Sequence, residues 1–142
     1  MPRILGIDYG ERRMGIAVSD EAGIIAMPLC VVPVRSPRQA AAEAGRLILE
    51  KQAGTVVVGL PLNMNGSRGP AAEAVAHFVA QLLAVAAVPV ETWDERLSSK
   101  AAERILIDAD VRRAKRKTVI DQLAAQIMLQ SYLDAHLRHS AL

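Results

Sequence analysis

Three acidic residues lie in positions from which their carboxylates could act together. Asp8 ends the apolar segment that begins at Arg3, Glu95 follows a segment that ends at Trp93, and Asp121 opens the last predicted helix. Carboxylates from separated segments commonly hold a hard cation, and magnesium and manganese prefer oxygen ligands. Two such ions, roughly 3.5–4 Å apart, can activate water and stabilise the leaving oxygen in phosphodiester cleavage. The three acids therefore predict a site for Mg²⁺ or Mn²⁺, with two ions, at a nucleic-acid phosphate.

Each acid also has a purely structural interpretation. Asp8 could form a turn or pair with a neighbouring arginine, and Glu95 could be an exposed loop acid paired with Arg96. Asp94 competes with Glu95 for the inward position, because side-chain alternation cannot be read past the end of a strand. Asp121 closes a Thr-x-x-Asp capping pattern, and the helix dipole favours an acid in the first turn. These alternatives remain open at the level of single segments.

Polar and basic side chains that could contact phosphate accompany the acids. The loop from Gly59 to Ser67 carries amide and hydroxyl groups that could bind phosphate oxygens or orient a metal-bound water. A run of five cations within six positions precedes Asp121, which suits phosphate contacts, although such runs are often simply solvated. The candidate nucleic-acid-binding residues are Arg12, Asn63, Asn65, Ser67, Arg96, Arg112, Arg113, Lys115, Arg116 and Lys117.

Composition narrows the function classes. The chain has 142 residues, 51% of them apolar, with net charge +2, so we expect one domain over residues 1–142. Cys30 is the only cysteine, which excludes an internal disulfide and fits a cytoplasmic location. No secretory signal and no apolar run long enough to cross a membrane is visible. The histidines lack the spacing of a zinc site, and no Gly-x-Ser-x-Gly turn indicates a serine hydrolase.

The pattern of apolar and turn residues predicts the elements that carry the acids. Strands are expected over Arg3–Tyr9, Met14–Ser19, Ile24–Val32, Thr55–Leu60 and Val88–Trp93. Helices are expected from a Ser36 cap with Pro37 at the first position through Gln52, over Pro70–Val85, from Ser98 or Ser99 to about Ala109, and from Thr118 to about His136.

The resulting order, βββαβαβαα, predicts an α/β fold with a mixed five-stranded sheet. The short links between the first three strands favour an antiparallel meander. The later αβ crossovers place strands one, four and five parallel and adjacent, with helices covering the sheet. Ligands collect at the carboxyl ends of parallel strands, which is where Asp8 and Glu95 fall. The fold class and the proposed site therefore support each other.

Four segments, in this order along the chain, resemble the RuvX/YqgF family, whose members are described as Holliday junction resolvases and pre-16S rRNA processing nucleases. The segments are Gly6–Gly10 with Gly15–Val18, Val58–Met64, Asp94–Ser98, and Asp121 with Ala124-Ala125. The resemblance covers essentially the whole chain. It implies an RNase H-like fold and a metal-dependent nuclease with Asp8, Glu95 and Asp121 as its acidic set. It also implies that the basic segment before Asp121 guides nucleic acid.

Three positions depart from the pattern that the resemblance implies. Asn65 stands where the family loop usually has an acid, and Arg12 replaces a common lysine. Arginine is a different phosphate contact from lysine and does not act as a general base. Ala124 occupies the position of a further acid in the related RuvC-type resolvases. The last departure weakens the case for junction resolution more than the case for a nuclease.

Competing functions follow from the same features. The first hypothesis is hydrolysis of structured RNA, in processing of the 5′ end of pre-16S rRNA, and the second is cleavage of branched DNA, which would require a homodimer with paired sites. An actin-like ATPase is a further alternative, because Asp8-x-Gly10 with Gly15 resembles a phosphate loop, but such proteins need two domains. A non-catalytic nucleic-acid or ribosome-associated module would use the basic segment and leave the acids structural.

Overall fold

A computed structural model describes residues 2–96 and 123–136 of the chain. Its centre is a five-stranded sheet in the order β3-β2-β1-β4-β5. The β1–β2 and β2–β3 pairs are antiparallel, whereas β4 lies parallel to both β1 and β5. The strands are β1 (Arg3–Tyr9), β2 (Arg13–Ser19), β3 (Ala26–Pro33), β4 (Ala53–Leu60) and β5 (Val90–Asp94), and the helices between them are α1 (Pro37–Glu50) and α2 (Pro70–Val85).

This topology confirms the predicted meander and the parallel, adjacent strands one, four and five. The continuous apolar run predicted for a doubly covered strand is the central β4, in which Val56, Val57 and Val58 are fully buried. The predicted helix start is also confirmed: the Ser36 hydroxyl accepts from the backbone N–H of Gln39 at 3.0 Å, and Pro37 follows. Residues 123–136 are helical, as expected for the last element.

Several predicted strand and helix ends were wrong by one or two residues, for local reasons. β3 begins at Ala26 because the Asp20 carboxylate accepts the backbone N–H groups of Ile24 and Ile25 and holds them in a turn. β5 begins at Val90, after Pro89, which has no N–H to donate. α1 ends at Glu50 because Gln52 has a left-handed backbone, φ 55°.

Two apolar layers hold the sheet. On one face, α1 and α2 pack through a core that contains Phe78 and Leu82. On the other face, the helical segment 123–136 packs through Leu129, Met128 and Tyr132. The indole N–H of Trp93, near the end of β5, donates to the Ser131 hydroxyl at 3.2 Å and joins this segment to the sheet edge. Of the helices in residues 2–96 and 123–136, none is both long and apolar enough to cross a membrane.

Candidate functional site

The carboxyl ends of β1 and β5 bring the side chains of Asp8 and Glu95 together. Asp8 is the penultimate residue of β1, and Glu95 follows the last residue of β5. The backbone N–H of Glu95 donates to the carbonyl oxygen of Leu60 at 3.1 Å, which fixes the chain where β5 ends beside β4. From there the Glu95 side chain reaches across the end of β4 and hydrogen-bonds the Asp8 side chain. We call these two residues the acid pair.

The environment of Glu95 is unusual for a carboxyl group. The residue is only 7% exposed, although glutamates are almost never buried without a partner. Burial is the main cause that raises the pKa of Glu95 well above its ordinary range, and its hydrogen bond to Asp8 and the negative charges of Asp8 and Asp94 raise it further. In the absence of a cation, the acid pair therefore retains a proton at neutral pH.

Gly59 makes room for this arrangement. A methyl group built on its Cα would overlap the carboxylate of Glu95 and lie 2.7 Å from its Cγ. Every other amino acid would therefore push the Glu95 side chain away from the end of β4. Gly59 is not among the site residues predicted from the sequence, although a glycine inside a strand signals a close approach by another group.

Asp94 differs sharply from its neighbour. Its carboxylate accepts from the backbone N–H of Arg96 at 3.0 Å and pairs with the Arg96 guanidinium at 2.6 Å. These hydrogen bonds lower the pKa of Asp94, with the guanidinium as the largest cause. The competition left open between Asp94 and Glu95 is thus answered geometrically: Glu95 meets Asp8, and Asp94 holds Arg96.

The loop after β4 is organised by its own polar side chains. The Asn65 side-chain oxygen accepts from the Ser67 hydroxyl at 2.6 Å and from the Ser67 backbone N–H at 3.0 Å. The Asn63 amide donates to the same hydroxyl at 3.0 Å. Arg96 reaches over the loop to the Met64 carbonyl oxygen at 3.4 Å. Asn63, Asn65 and Ser67 therefore shape the loop, while all three remain exposed at the site edge.

The remaining candidates divide into two groups. Arg12 is exposed in the turn between β1 and β2, at the same edge as Asp8. Asp121 and the basic residues Arg112, Arg113, Lys115, Arg116 and Lys117 lie outside the described residues, so their assignment stays a prediction. The predicted helix beginning at Ser98 or Ser99 and the Thr118 cap also lie outside them.

The donor set of the acid pair fits a hard divalent cation. Both side chains offer carboxylate oxygens, and bringing two of them together in a largely buried position is unfavourable unless a proton or a cation neutralises them. Asp8 and Glu95 are the residues that would hold Mg²⁺ or Mn²⁺. Within residues 2–96 and 123–136, no third carboxylate, histidine or cysteine joins them.

Comparison with known proteins gives one family over almost the whole chain. A family model described as "RuvX: Holliday junction resolvase" matches residues 2–135. A protein from Chloroflexus aggregans named "Putative pre-16S rRNA nuclease" is 52% identical over 132 residues, covering 93% of each chain. A protein of the same name from Symbiobacterium thermophilum is 48% identical over 133 residues, covering 94% of this chain and 92% of its own.

Solved structures agree on the fold at low sequence identity. RuvC of Thermus thermophilus, in complex with a Holliday junction substrate, superposes with a TM-score of 0.60, 18% identity and 96% coverage of both chains. The fowlpox virus resolvase in complex with Holliday junction DNA superposes with a TM-score of 0.57 and 12% identity, covering 95% of this chain and 99% of its own. These likenesses confirm the predicted RNase H-like architecture of the sheet.

Proposed function

The chain belongs to the RuvX family, and from this premise we propose that it is a metal-dependent nuclease that hydrolyses phosphodiester bonds in structured nucleic acid. The observation that carries the proposal is the acid pair, in which Glu95 is buried against Asp8 where the parallel strands end. A structural ion pair would oppose a carboxylate with a cation, as Asp94 does with Arg96. A pair of carboxylates instead favours a bound divalent cation.

The chain's own residues would hold and orient the reacting groups. Asp8 and Glu95, with Asp121 as the proposed third acid, would hold Mg²⁺ or Mn²⁺ through carboxylate oxygens. When bound, such ions supply charge stabilisation at the phosphoryl oxygens and an activated water. The ion pair between Arg96 and Asp94 fixes the chain next to Glu95. The strand ends thus provide a rigid support, which keeps the carboxylates in place as a phosphate binds.

We propose structured RNA, namely the 5′ end of pre-16S rRNA, as the substrate. The support is the pre-16S rRNA nuclease name of relatives that are about half identical to this chain along nearly their whole length. We propose a cytoplasmic location for this activity. A chain with a single cysteine has no internal disulfide and suits that reducing compartment. Branched DNA is the second candidate, since the matching family model is described by Holliday junction resolution.

A cleavage assay tests the proposal. End-labelled structured RNA that contains the 5′ flank of 16S rRNA and a synthetic four-way DNA junction are incubated with purified protein and Mg²⁺ or Mn²⁺, or with a chelator. We expect metal-dependent cleavage of the RNA, which stops in the chelator and returns when metal is added in excess. Activity should elute with the protein in size-exclusion chromatography, which separates it from a contaminating nuclease.

Each outcome separates the candidate functions. Cleavage confined to the RNA supports rRNA processing, whereas paired symmetric incisions in the junction by a dimeric protein support resolution. Folded protein that binds both substrates and cleaves neither at any metal concentration would contradict the nuclease proposal. That result would favour a non-catalytic nucleic-acid-binding module.

Gly59→Ala should impair cleavage although Gly59 has no side chain to offer the substrate. The added methyl group would displace the Glu95 carboxylate, and misplacement of a reacting group by about 1 Å can cost on the order of 10²-fold in rate. The measurement is the single-turnover cleavage rate at saturating metal. Gly45→Ala, whose methyl group would lie 3.7 Å from a Val85 methyl in ordinary contact, is the matched control. Equal rates for the two variants would contradict the role given to Gly59.

A further inference from the structure

Three arginines follow the carboxyl ends of β1 and β3, on the side of the sheet that the meander forms. We name Arg12, Arg35 and Arg38 the arginine rim. Arg12 is in the turn between β1 and β2, Arg35 follows β3, and Arg38 is in the first turn of α1. β1 and β3 both run antiparallel to β2, so their carboxyl ends lie at the same edge of the sheet as Asp8. All three arginines are exposed.

The backbone ties the segments of the rim to each other. The N–H of Val34 donates to the carbonyl oxygen of Arg12 at 2.9 Å, which joins the β1–β2 turn to the chain after β3. The N–H of Arg35 donates to the Gln39 side-chain oxygen at 2.8 Å, which fixes Arg35 to the start of α1. The positions of the three arginines along this edge are therefore set by ordered backbone.

The rim arginines differ from Arg3, Arg46 and Arg96, each of which has a carboxylate partner within the ion-pair distance. Arg46 pairs with Glu43 and Glu50, Arg96 pairs with Asp94, and Arg3 lies 3.9 Å from Glu21. Within the described residues, 2–96 and 123–136, no carboxylate forms an ion pair with a rim guanidinium. Glu11 neighbours Arg12 in the β1–β2 turn and lines a surface pocket with Arg35, so the three arginines still outnumber it and leave a net positive charge that favours a polyanion.

The position of the rim indicates which part of a nucleic acid it meets. Neighbouring strands lie about 4.8 Å apart, so the end of β3 lies about 10 Å from β1 and the acid pair. Arg35 and Arg38, which follow β3, therefore start from backbone that is about two strand spacings to the side of Asp8. That position suits phosphates farther along the same backbone, which arginine binds without regard to base sequence.

We propose that the arginine rim binds the sugar–phosphate backbone of the substrate on one side of the cleaved bond, and so sets how the nucleic acid lies across the site. This inference rests on the proposed nuclease function and extends it to a surface outside the acid pair. The rim acts in binding and orientation, whereas the acid pair acts on the reacting phosphate. The ligand is a phosphodiester backbone, and RNA and DNA are its two possible sources.

Equilibrium binding in chelator, where no cleavage occurs, tests the rim directly. The double variant Arg35→Ala/Arg38→Ala is compared with Arg3→Ala/Arg46→Ala, which removes the same net charge away from the rim. The probes are a labelled RNA hairpin with a single-stranded 5′ extension and a labelled DNA duplex, each titrated over a range of salt concentrations. Thermal unfolding establishes that both double variants are folded.

The expected result is a selective loss of affinity. Arg35→Ala/Arg38→Ala should bind about tenfold more weakly at low salt, and the slope of log K against log salt should fall by about 1 for each lost phosphate contact. The control double variant should stay within about twofold of wild type. A selective loss with only one probe supports the rim and identifies which nucleic acid follows it.

Three results would overturn the inference. The first is an equal loss of affinity in both double variants, which would report net charge alone. The second is an unchanged affinity in the rim variant. The third is a wild-type protein that binds neither probe. Failure of the nuclease proposal looks different. In that case the rim variant shows its selective binding defect, while wild-type protein with metal leaves both cleavage substrates intact.

Discussion

Asp8→Asn is expected to reduce cleavage by about three orders of magnitude or more while leaving the protein folded. Asparagine keeps the size of the side chain but removes the negative charge that would hold the cation, and loss of several kcal/mol of charge stabilisation corresponds to this factor. Without metal, the variant should unfold at nearly the same temperature as wild type, because the asparagine side-chain oxygen can still accept a hydrogen bond from the protonated Glu95 carboxyl group.

Thermal unfolding with and without Mn²⁺ separates the two effects of this substitution. A ligand that binds only the folded state raises the unfolding temperature of wild type, and this rise should be lost in Asp8→Asn. Cleavage is measured under single-turnover conditions on the preferred substrate. A variant that cleaves at the wild-type rate, or that keeps the full Mn²⁺-dependent rise, would show that Asp8 does not hold the metal.

Substitution of two adjacent acids, Glu95 and Asp94, should change the cleavage rate by very different amounts. Glu95→Gln is expected to lower the cleavage rate by about 10³-fold, because the carboxylate that meets Asp8 loses its charge. Asp94→Asn is expected to retain cleavage within about tenfold, since Asp94 faces Arg96 rather than the acid pair. Both substitutions remove one negative charge and keep the shape of the side chain, so each serves as the control for the other.

The measurement is again the single-turnover rate, with metal titrated to saturation for each variant. Asp94→Asn should also weaken the hold on Arg96, which would appear as a modest loss of substrate affinity rather than of rate. Equal losses of rate in the two variants would contradict the assignment of Glu95 to the acid pair. A larger loss in Asp94→Asn would reverse that assignment.

Much of the site was predictable from the sequence because topology is encoded by long, regular patterns. The apolar run of β4 identified a doubly covered central strand, and crossovers of helical length made its neighbours parallel. Once β1 and β5 flank β4, Asp8 and Glu95 must end at the same edge of the sheet. The proximity of two residues far apart in the chain thus follows from strand order alone.

The details that the sequence did not determine depend on single side chains. The choice between Asp94 and Glu95 turns on where β5 stops, and that end is set by the backbone hydrogen bond from Glu95 to Leu60. Ile24 and Ile25 have the composition of a strand, but the Asp20 carboxylate captures their N–H groups. Local side-chain hydrogen bonds of this kind compete with strand pairing and leave little trace in an apolar pattern.

Trp93 gives this chain a built-in optical probe. It is the sole tryptophan, its indole N–H is bonded to Ser131, and its ring lies edge-on to Tyr132 at a centroid distance of 5.5 Å. Trp93 is two residues from Glu95 in the chain. Selective excitation of its indole would therefore report, close to the acid pair, whether the segment 123–136 is packed on the sheet. Emission that shifts to longer wavelength before the far-ultraviolet circular dichroism changes would reveal release of that segment from an otherwise intact sheet, without an attached dye.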